Sequence, residues 1–235
     1  MIATIVAKLA KLPPEQKRLW AALRPSVEFG FVLYGGTAIS LHLGHRRSVD
    51  FDFFHDQPLN KDRIRISFIF MERATVLRDA VDTLTVLVPA ERRGRSGGVK
   101  VSFFGGLKFG RVGEPSLTRD GVLEVASMDD LLAHKLKVIL QRPEKKDYED
   151  IAAMIRAGRS VARGLAAART LFGKSFQPAA ALKAAVYFEG GDLAALSHAD
   201  RNMLIAAASA VGALPVVELR SRCLAIPIGG GVSPS

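Results

Sequence analysis

Two hydrophobic patterns divide the chain. In the first half, short segments rich in β-branched and aromatic residues alternate with polar stretches, as is typical of strands. These segments cover residues 28–34, 49–54, 75–78, 83–88 and 99–104. In the second half, apolar residues recur at helical spacing within alanine-rich segments. The pattern therefore predicts an α/β (α+β) protein that ends in a helical domain.

Capping and stop signals predict where the helices begin and end. In the first half, helices are expected over residues 37–43 and from Asn60 to residue 71. Ser127 and Asp130 form a capping pattern for a helix that should run to Gln141, because Pro143 follows. Further helices are predicted from Tyr148 towards residue 158 and over residues 161–172, 178–187 and 198–211. We expect a core over residues 1–126, a helical domain over 127–228 and a disordered tail over 229–235.

The second apolar segment carries two acidic residues at alternate positions. In an extended chain, Asp50 and Asp52 point to one face, whereas Phe51 and Phe53 point to the other. Two carboxylates side by side repel each other and resist desolvation, so such a face must meet solvent, basic side chains or a metal ion.

The glycine pair Gly35-Gly36 precedes this acidic segment, between a predicted strand and a predicted helix. A turn of this kind lets backbone amides approach an anion at the start of the helix. Two carboxylates on one strand face can hold divalent cations, which lie ~3.5–4 Å apart in two-metal phosphoryl-transfer sites. The glycine turn and the acidic pair together indicate a phosphate and metal site.

Composition narrows the range of partners. The chain has 235 residues, 49% of them hydrophobic, and a formal charge of +10. A surplus of this size attracts polyanions such as RNA or nucleotides, although a solvated basic surface is the alternative explanation. Residues 92–98 are expected to form a mobile basic loop.

Cysteine usage and hydropathy indicate the compartment. Cys223 is the single cysteine, so an intramolecular disulfide and a multi-cysteine zinc site are both excluded. We find neither a signal-peptide pattern nor an apolar run long enough to cross a membrane. We therefore expect a cytoplasmic protein with no membrane partner.

The motifs resemble a known superfamily. Gly35-Gly36-Thr37, followed by Arg46, Ser48 and Asp50-Phe51-Asp52, is similar to the signature of polymerase β-like nucleotidyltransferases. The later segment, from Lys135 through Arg142 to KDYEDI at residues 146–151, more narrowly resembles the AbiEii/AbiGii toxin nucleotidyltransferases. The two blocks span residues 31–155 and leave the last third of the chain without support from the resemblance.

The resemblance implies a nucleotidyltransferase core with a small mixed sheet and a set of site residues. It implies Mg²⁺ or Mn²⁺ as cofactor, a nucleoside triphosphate as substrate, and a place in a toxin–antitoxin or abortive-infection system with a cognate antitoxin. The acceptor hydroxyl is left open between tRNA, another RNA and a protein. The implied catalytic residues are Asp50, Asp52, Lys135 and Asp147, with Asp50 and Asp52 as metal ligands, and the implied nucleotide-binding residues are Gly35, Gly36, Thr37, Arg46 and Ser48.

One position departs from the superfamily pattern. A third carboxylate is often found on a later central strand, where this chain has Ser102. A serine hydroxyl cannot replace a carboxylate as a base or as a charged metal ligand. Either Asp147 supplies the missing acid from the helical part, facing the cleft together with Lys135, or the chain is a catalytically reduced nucleotide- or RNA-binding module. A metal-dependent hydrolase or nuclease using the same aspartates is a second enzymatic alternative.

Overall fold

The computed structural model describes residues 3–90 and 97–226. Within them, eight strands form one mixed sheet in the order β1-β7-β8-β2-β3-β6-β5-β4. The strands are β1 (Thr4–Ile5), β2 (Val32–Tyr34), β3 (Asp50–Phe54), β4 (Thr75–Ala80), β5 (Thr83–Pro89), β6 (Gly98–Phe104), β7 (Ser116–Thr118) and β8 (Glu124–Val125). The mixed α/β architecture agrees with the predicted fold class.

The helices fall into two groups along the chain. In the described part of the chain, four lie among the strands, and the four longest are among those that follow the last strand. They are α1 (Pro14–Leu19), α2 (Pro25–Glu28), α3 (Gly35–Leu43), α4 (Lys61–Ser67), α5 (Met128–Val138), α6 (Lys145–Arg156), α7 (Val161–Phe172), α8 (Pro178–Ala185) and α9 (His198–Ser209). None of the helices in the described ranges is both long enough and apolar enough to cross a bilayer.

The centre of the sheet presents the acidic pair to one side. Strand β3 pairs antiparallel with β2 and parallel with β6. Its aromatic residues Phe51 and Phe53 are fully buried, and the ring of Phe53 stacks on that of Phe103 with centroids 5.4 Å apart. Because side chains alternate along a strand, this packing holds Asp50 and Asp52 on the opposite face.

The helical half packs onto that same region. Helix α3 contacts both α5 and α6, and α5 packs against α7. One continuous cluster of buried side chains includes residues from the sheet and from these helices, such as Leu33, Leu136 and Ile151. The sheet ends at Val125, but the division into domains at residue 126 stays a prediction.

The predicted elements agree best with the structure where a clear pattern bounds them. Helix 161–172 is found as predicted, and the side chains of Asn60 and Ser127 cap α4 and α5. The strand predicted over residues 28–34 is wrong in its first half, because the chain turns at Gly30 with φ +71° and only Val32–Tyr34 pair as a strand. Residues 92–96 of the basic loop predicted over 92–98 and the predicted tail (229–235) lie outside the described residues, whereas Gly98 begins β6.

Candidate active site

A cavity of about 310 Å³ opens where β2 and β3 meet the first turn of α3 and the helical half. The predicted residues Gly35, Gly36, Asp50 and Asp52 all line it. The glycine turn is therefore at a strand-to-helix junction, and both aspartates open onto the same cleft.

The glycine turn brings the backbone close to the acidic pair. Gly35 has φ +74°, a conformation that residues with a Cβ rarely adopt, and a Cβ there would lie 2.7 Å from Oδ2 of Asp52. A Cβ on Gly36 would collide with the guanidinium group of Arg46 and lie 3.1 Å from Oγ of Ser48. Neither position has room for a side chain, because cavity-lining polar groups occupy that space.

Thr37 differs from the expectation. Its side chain is buried and donates a hydrogen bond to the main-chain carbonyl of Asp50, and it does not line the cavity. This bond ties the start of α3 to the start of β3. The hydroxyl therefore positions the acidic strand instead of facing a phosphate, which corrects the expected contact.

The two aspartates have different surroundings. Asp50 is partly exposed, and its Oδ2 lies 3.1 Å from Nζ of Lys100. Asp52 pairs in register with Ser102 of β6. Partial burial of Asp52, together with the nearby charge of Asp50, raises the pKa of the Asp52 carboxyl, although Lys100, Lys135 and the Ser102 hydroxyl act in the opposite direction. A cation placed between these carboxylates would relieve their repulsion.

A buried ionic network lies beside this pair. Nζ of Lys135 is 2.6 Å from Oδ1 of Asp147 and 2.7 Å from Oδ2 of Asp150. Asp150 also accepts bonds of 2.6 and 2.8 Å from Arg46 and one of 2.7 Å involving Nε2 of His45. Asp150 thus joins the first motif block to the second.

The pKa of Asp150 follows from these contacts. Burial alone would raise it, because an ionised carboxylate loses hydration inside the protein. The hydrogen bond to His45 and the positive charges of Lys135 and Arg46 outweigh that effect, so the pKa of Asp150 is lowered. Asp150 is therefore held ionised as the anchor of the surrounding cations.

Asp147 does not face the cleft, which corrects the expected geometry. Its side chain is 0% exposed, and its two oxygens contact Lys135 and, at 3.1 Å, Nε of Arg142. Lys135 does line the cavity, and so does Arg142. Asp147 therefore lies behind two cavity-lining cations, a placement suited to orienting them and not to touching a substrate.

Two more of the expected residues line the cavity. Ser48 lies at its wall, and so does Arg46, whose guanidinium is already paired with Asp150. The cavity also contains cations that the sequence did not single out as site residues, namely Arg47, Lys100, Arg142 and Lys146. Arg142 and Lys146 belong to the second motif block but were not assigned a role there, and only proximity to the motifs along the chain could have indicated Arg47 and Lys100.

An apolar wall was also missed from the sequence. The rings of Tyr34 and Phe54 stack with centroids 4.6 Å apart, and His134 lies against both. Burial and the charges of Lys137 and Lys135 lower the pKa of His134 to about 3, so its imidazole is neutral at pH 7. Among the described residues, Nε2 of His134 has no hydrogen-bond partner. One side of the cavity is thus aromatic and uncharged.

The donor set fits a divalent cation through Asp50 and Asp52. Mg²⁺ commonly binds one or two carboxylates, several waters and substrate phosphates, and does not require a full cage of protein ligands. Within residues 3–90 and 97–226, no group of three or more histidine, cysteine, aspartate or glutamate side chains could hold a metal ion. Any cation here would therefore take its further ligands from water and from the nucleotide phosphates.

Comparison with known proteins places this chain in a family. The family model described as nucleotidyl transferase AbiEii toxin, type IV toxin–antitoxin system, matches residues 18–210. The chain belongs to this family. An uncharacterized protein of Aquifex aeolicus (strain VF5) is 32% identical over 154 residues, which are 63% of this chain and 69% of that protein. The predicted family membership is confirmed.

Solved structures support the fold. A candidate nucleotidyltransferase from Helicobacter pylori has a TM-score of 0.54 at 15% identity, with 83% of this chain and 92% of that chain covered. An antigenic nucleotidyltransferase-like protein from Paracoccidioides brasiliensis has a TM-score of 0.52 at 16% identity, with coverage of 91% and 96%. At such identities the likeness concerns the fold alone.

Proposed function

We propose that this protein transfers a nucleoside monophosphate from a nucleoside triphosphate to an acceptor hydroxyl. The observation that carries the proposal is the shared cavity, in which Gly35 and Gly36 of the turn face Asp50 and Asp52. The amides at the start of α3 favour an anion, and the carboxylates favour a cation. A metal-bound triphosphate has both charges.

In this proposal each group has a separate task. Asp50 and Asp52 hold Mg²⁺ or Mn²⁺, which when bound neutralises phosphate charge and orients the triphosphate. Gly36, Ser48 and Arg46 contact phosphates, and Lys135 stabilises the charge that develops on the transferring group. Asp147 and Asp150 are positioning residues that hold Lys135 and Arg46. The wall of Tyr34, Phe54 and His134 receives the apolar part of the nucleotide.

The transfer step is a displacement at the α-phosphorus. The acceptor oxygen forms a new bond to this phosphorus, the bond from the α-phosphorus to the bridging oxygen breaks, and pyrophosphate leaves. The hydroxyl proton passes to solvent. Because the chemistry needs little beyond positioning and charge stabilisation, a site without a third carboxylate on β6 can still perform it.

RNA is the acceptor that the charge distribution favours, with tRNA as one candidate. The formal charge of the chain is +10, and Arg47, Arg142 and Lys146 line the cavity together with the other cations. Such a surface attracts phosphate backbones without reading sequence. The family description further supports a toxin with a cognate antitoxin, and we propose that it acts in the cytoplasm.

Label transfer tests the function. The purified protein is incubated with each α-labelled nucleoside triphosphate, Mg²⁺ and total RNA or lysate, and the products are separated after ribonuclease or protease treatment. We expect ribonuclease-sensitive label with one or more triphosphates, and none with the Asp50→Asn/Asp52→Asn variant. Wild-type protein that binds a triphosphate but transfers no label would instead indicate the binding-only module.

A further inference from the structure

The cleft face of β6 carries no acidic residue. Asp50 of β3 pairs in register with Lys100, and Asp52 pairs with Ser102. The intervening residues Val101 and Phe103 are buried in the core, so Lys100 and Ser102 share the face of the aspartates. Both positions from which β6 could supply a third carboxylate are thus occupied by other groups.

Among the described residues, no other carboxylate lines the cavity in its place. Asp147 and Asp150 are 0% exposed and engaged by Lys135, Arg142 and Arg46. The residues that line the cavity in the described part of the chain include two acids, Asp50 and Asp52, against six cations: Arg46, Arg47, Lys100, Lys135, Arg142 and Lys146. Four of the six already pair with carboxylates outside the cavity lining. The lining therefore offers two carboxylates to a metal ion, one of them already in contact with Lys100, and this small set of anionic ligands disfavours two divalent ions in the same space.

We propose that the cavity binds a single divalent cation with the nucleotide, and that the ammonium group of Lys100 takes the place of a second cation. The inference rests on the proposed function. Nζ of Lys100 lies 3.1 Å from Oδ2 of Asp50, so it already neutralises one of the two carboxylates. Two ions ~3.5–4 Å apart need several shared anionic ligands, whereas one Mg²⁺ is satisfied by one or two carboxylates, phosphates and water.

The arrangement assigns Lys100 a task in transfer. A lysine ammonium is a compact positive charge that requires no ligand cage. Placed beside Asp50, it stabilises negative charge on the approaching acceptor oxygen without a metal ion there. The single divalent cation remains with the triphosphate, Asp50 and Asp52.

Counting bound Mn²⁺ tests this inference without measuring activity. The wild-type protein is titrated with Mn²⁺ in the presence of a non-hydrolysable α,β-methylene triphosphate, and bound ions are followed by electron paramagnetic resonance and calorimetry. We expect one Mn²⁺ per complex and a spectrum of isolated ions. Two ions per complex with a spin-coupled spectrum would overturn the proposal while leaving the proposed function intact.

Variants of β6 test the role of its side chains. The Lys100→Ala/Ser102→Asp double variant removes the ammonium and adds a carboxylate beside Asp52, so it should bind a second, spin-coupled Mn²⁺. Lys174→Ala, which changes an exposed lysine outside the cavity, should keep the wild-type count. A double variant that still binds one ion would refute the assignment to Lys100. Nucleotide binding without any Mn²⁺ would refute both this inference and the proposed metal-dependent function.

Discussion

Nζ of Lys135 lies 2.6 Å from Oδ1 of Asp147, and the exposed fractions of the two side chains are 8% and 0%. A buried pair of this kind is weak evidence for stability, because desolvation of both charges opposes their attraction. Its effect is to fix the position of one cavity-lining ammonium. The helices α5 and α6 that carry the pair therefore determine the geometry of a site whose acids come from the sheet.

The first prediction compares the two aspartates of α6. Asp150→Ala leaves Lys135, Arg46 and His45 without their shared carboxylate, so it should cost about 3–5 kcal/mol of unfolding free energy. Asp147→Ala should cost less, because Lys135 keeps Asp150 and the half-exposed Arg142 can return to water. Urea unfolding measures both.

Glu149→Ala is the matched control on the same helix. Glu149 forms an i,i+4 pair with Lys145 at 3.3 Å near the surface, and such pairs contribute about 0.3–0.5 kcal/mol. Equal losses for Asp150→Ala and Glu149→Ala would contradict the view that Asp150 anchors the network.

The second prediction concerns acid. A carboxyl whose pKa is lowered by folding stabilises the protein above its unfolded pKa of about 3.9 and loses that contribution as the pH falls towards the folded value. The difference in unfolding free energy between wild type and Asp150→Asn should therefore shrink below about pH 4. Measuring the same difference in a His45→Gln background shows how far the effect depends on the contact between His45 and Asp150. A difference that increases on acidification would contradict the assignment.

The third prediction separates chemistry from binding. Because Asp147 is behind Lys135 and does not line the cavity, Asp147→Asn should lower kcat for nucleotide transfer and leave triphosphate affinity nearly unchanged. A small displacement of a reacting-site group can cost about a hundredfold in rate. Steady-state kinetics and equilibrium binding of a triphosphate give the two quantities. An equal loss of kcat and of triphosphate affinity would indicate a structural role for Asp147 instead.

The fourth prediction concerns the acidic pair. Asp50→Asn together with Asp52→Asn should abolish metal-dependent nucleotide binding, because both proposed ligands of the cation are lost. The thermal unfolding midpoint at pH 7 should stay equal or rise, since the raised pKa of Asp52 means that its ionised form opposes folding. Calorimetric titration and thermal unfolding check these outcomes. A large drop in the midpoint would show that the pair stabilises the fold.

The sequence predicts the parts of the site that depend on local pattern. Alternation in β3 is sufficient to place Asp50 and Asp52 on one face, and the glycine pair is sufficient to predict a turn before α3. Motif order then associates Lys135 with the same cleft. The first two features need only neighbouring residues, whereas Lys135 was expected from the family resemblance. The structure brings Gly35, Asp52 and Lys135 to one cavity.

The remaining features depend on contacts distant in sequence. Short strands such as β1 and β8, with two residues each, have too little pattern to be predicted. Which of Asp147 and Asp150 pairs with Arg46 depends on how α6 packs against α3. Helical periodicity in the sequence does not specify that packing. For the same reason, the aromatic wall that includes His134 follows only from the folded chain.

The last prediction tests the glycine turn that closes the site. Gly35 combines φ +74° with a position where a Cβ would lie 2.7 Å from Oδ2 of Asp52. Gly35→Ala should therefore destabilise the protein by more than the ~1 kcal/mol expected of a left-handed backbone conformation alone, because the Asp52 carboxylate must also move. Triphosphate affinity should fall as well. Gly158→Ala is the matched control, since Gly158 has φ +83° with nothing within 4 Å of the added atom. Urea unfolding should show the larger loss of unfolding free energy for Gly35→Ala, and triphosphate affinity should be unchanged only in the control. Equal effects of the two substitutions would mean that backbone strain, and not contact with Asp52, makes Gly35 necessary.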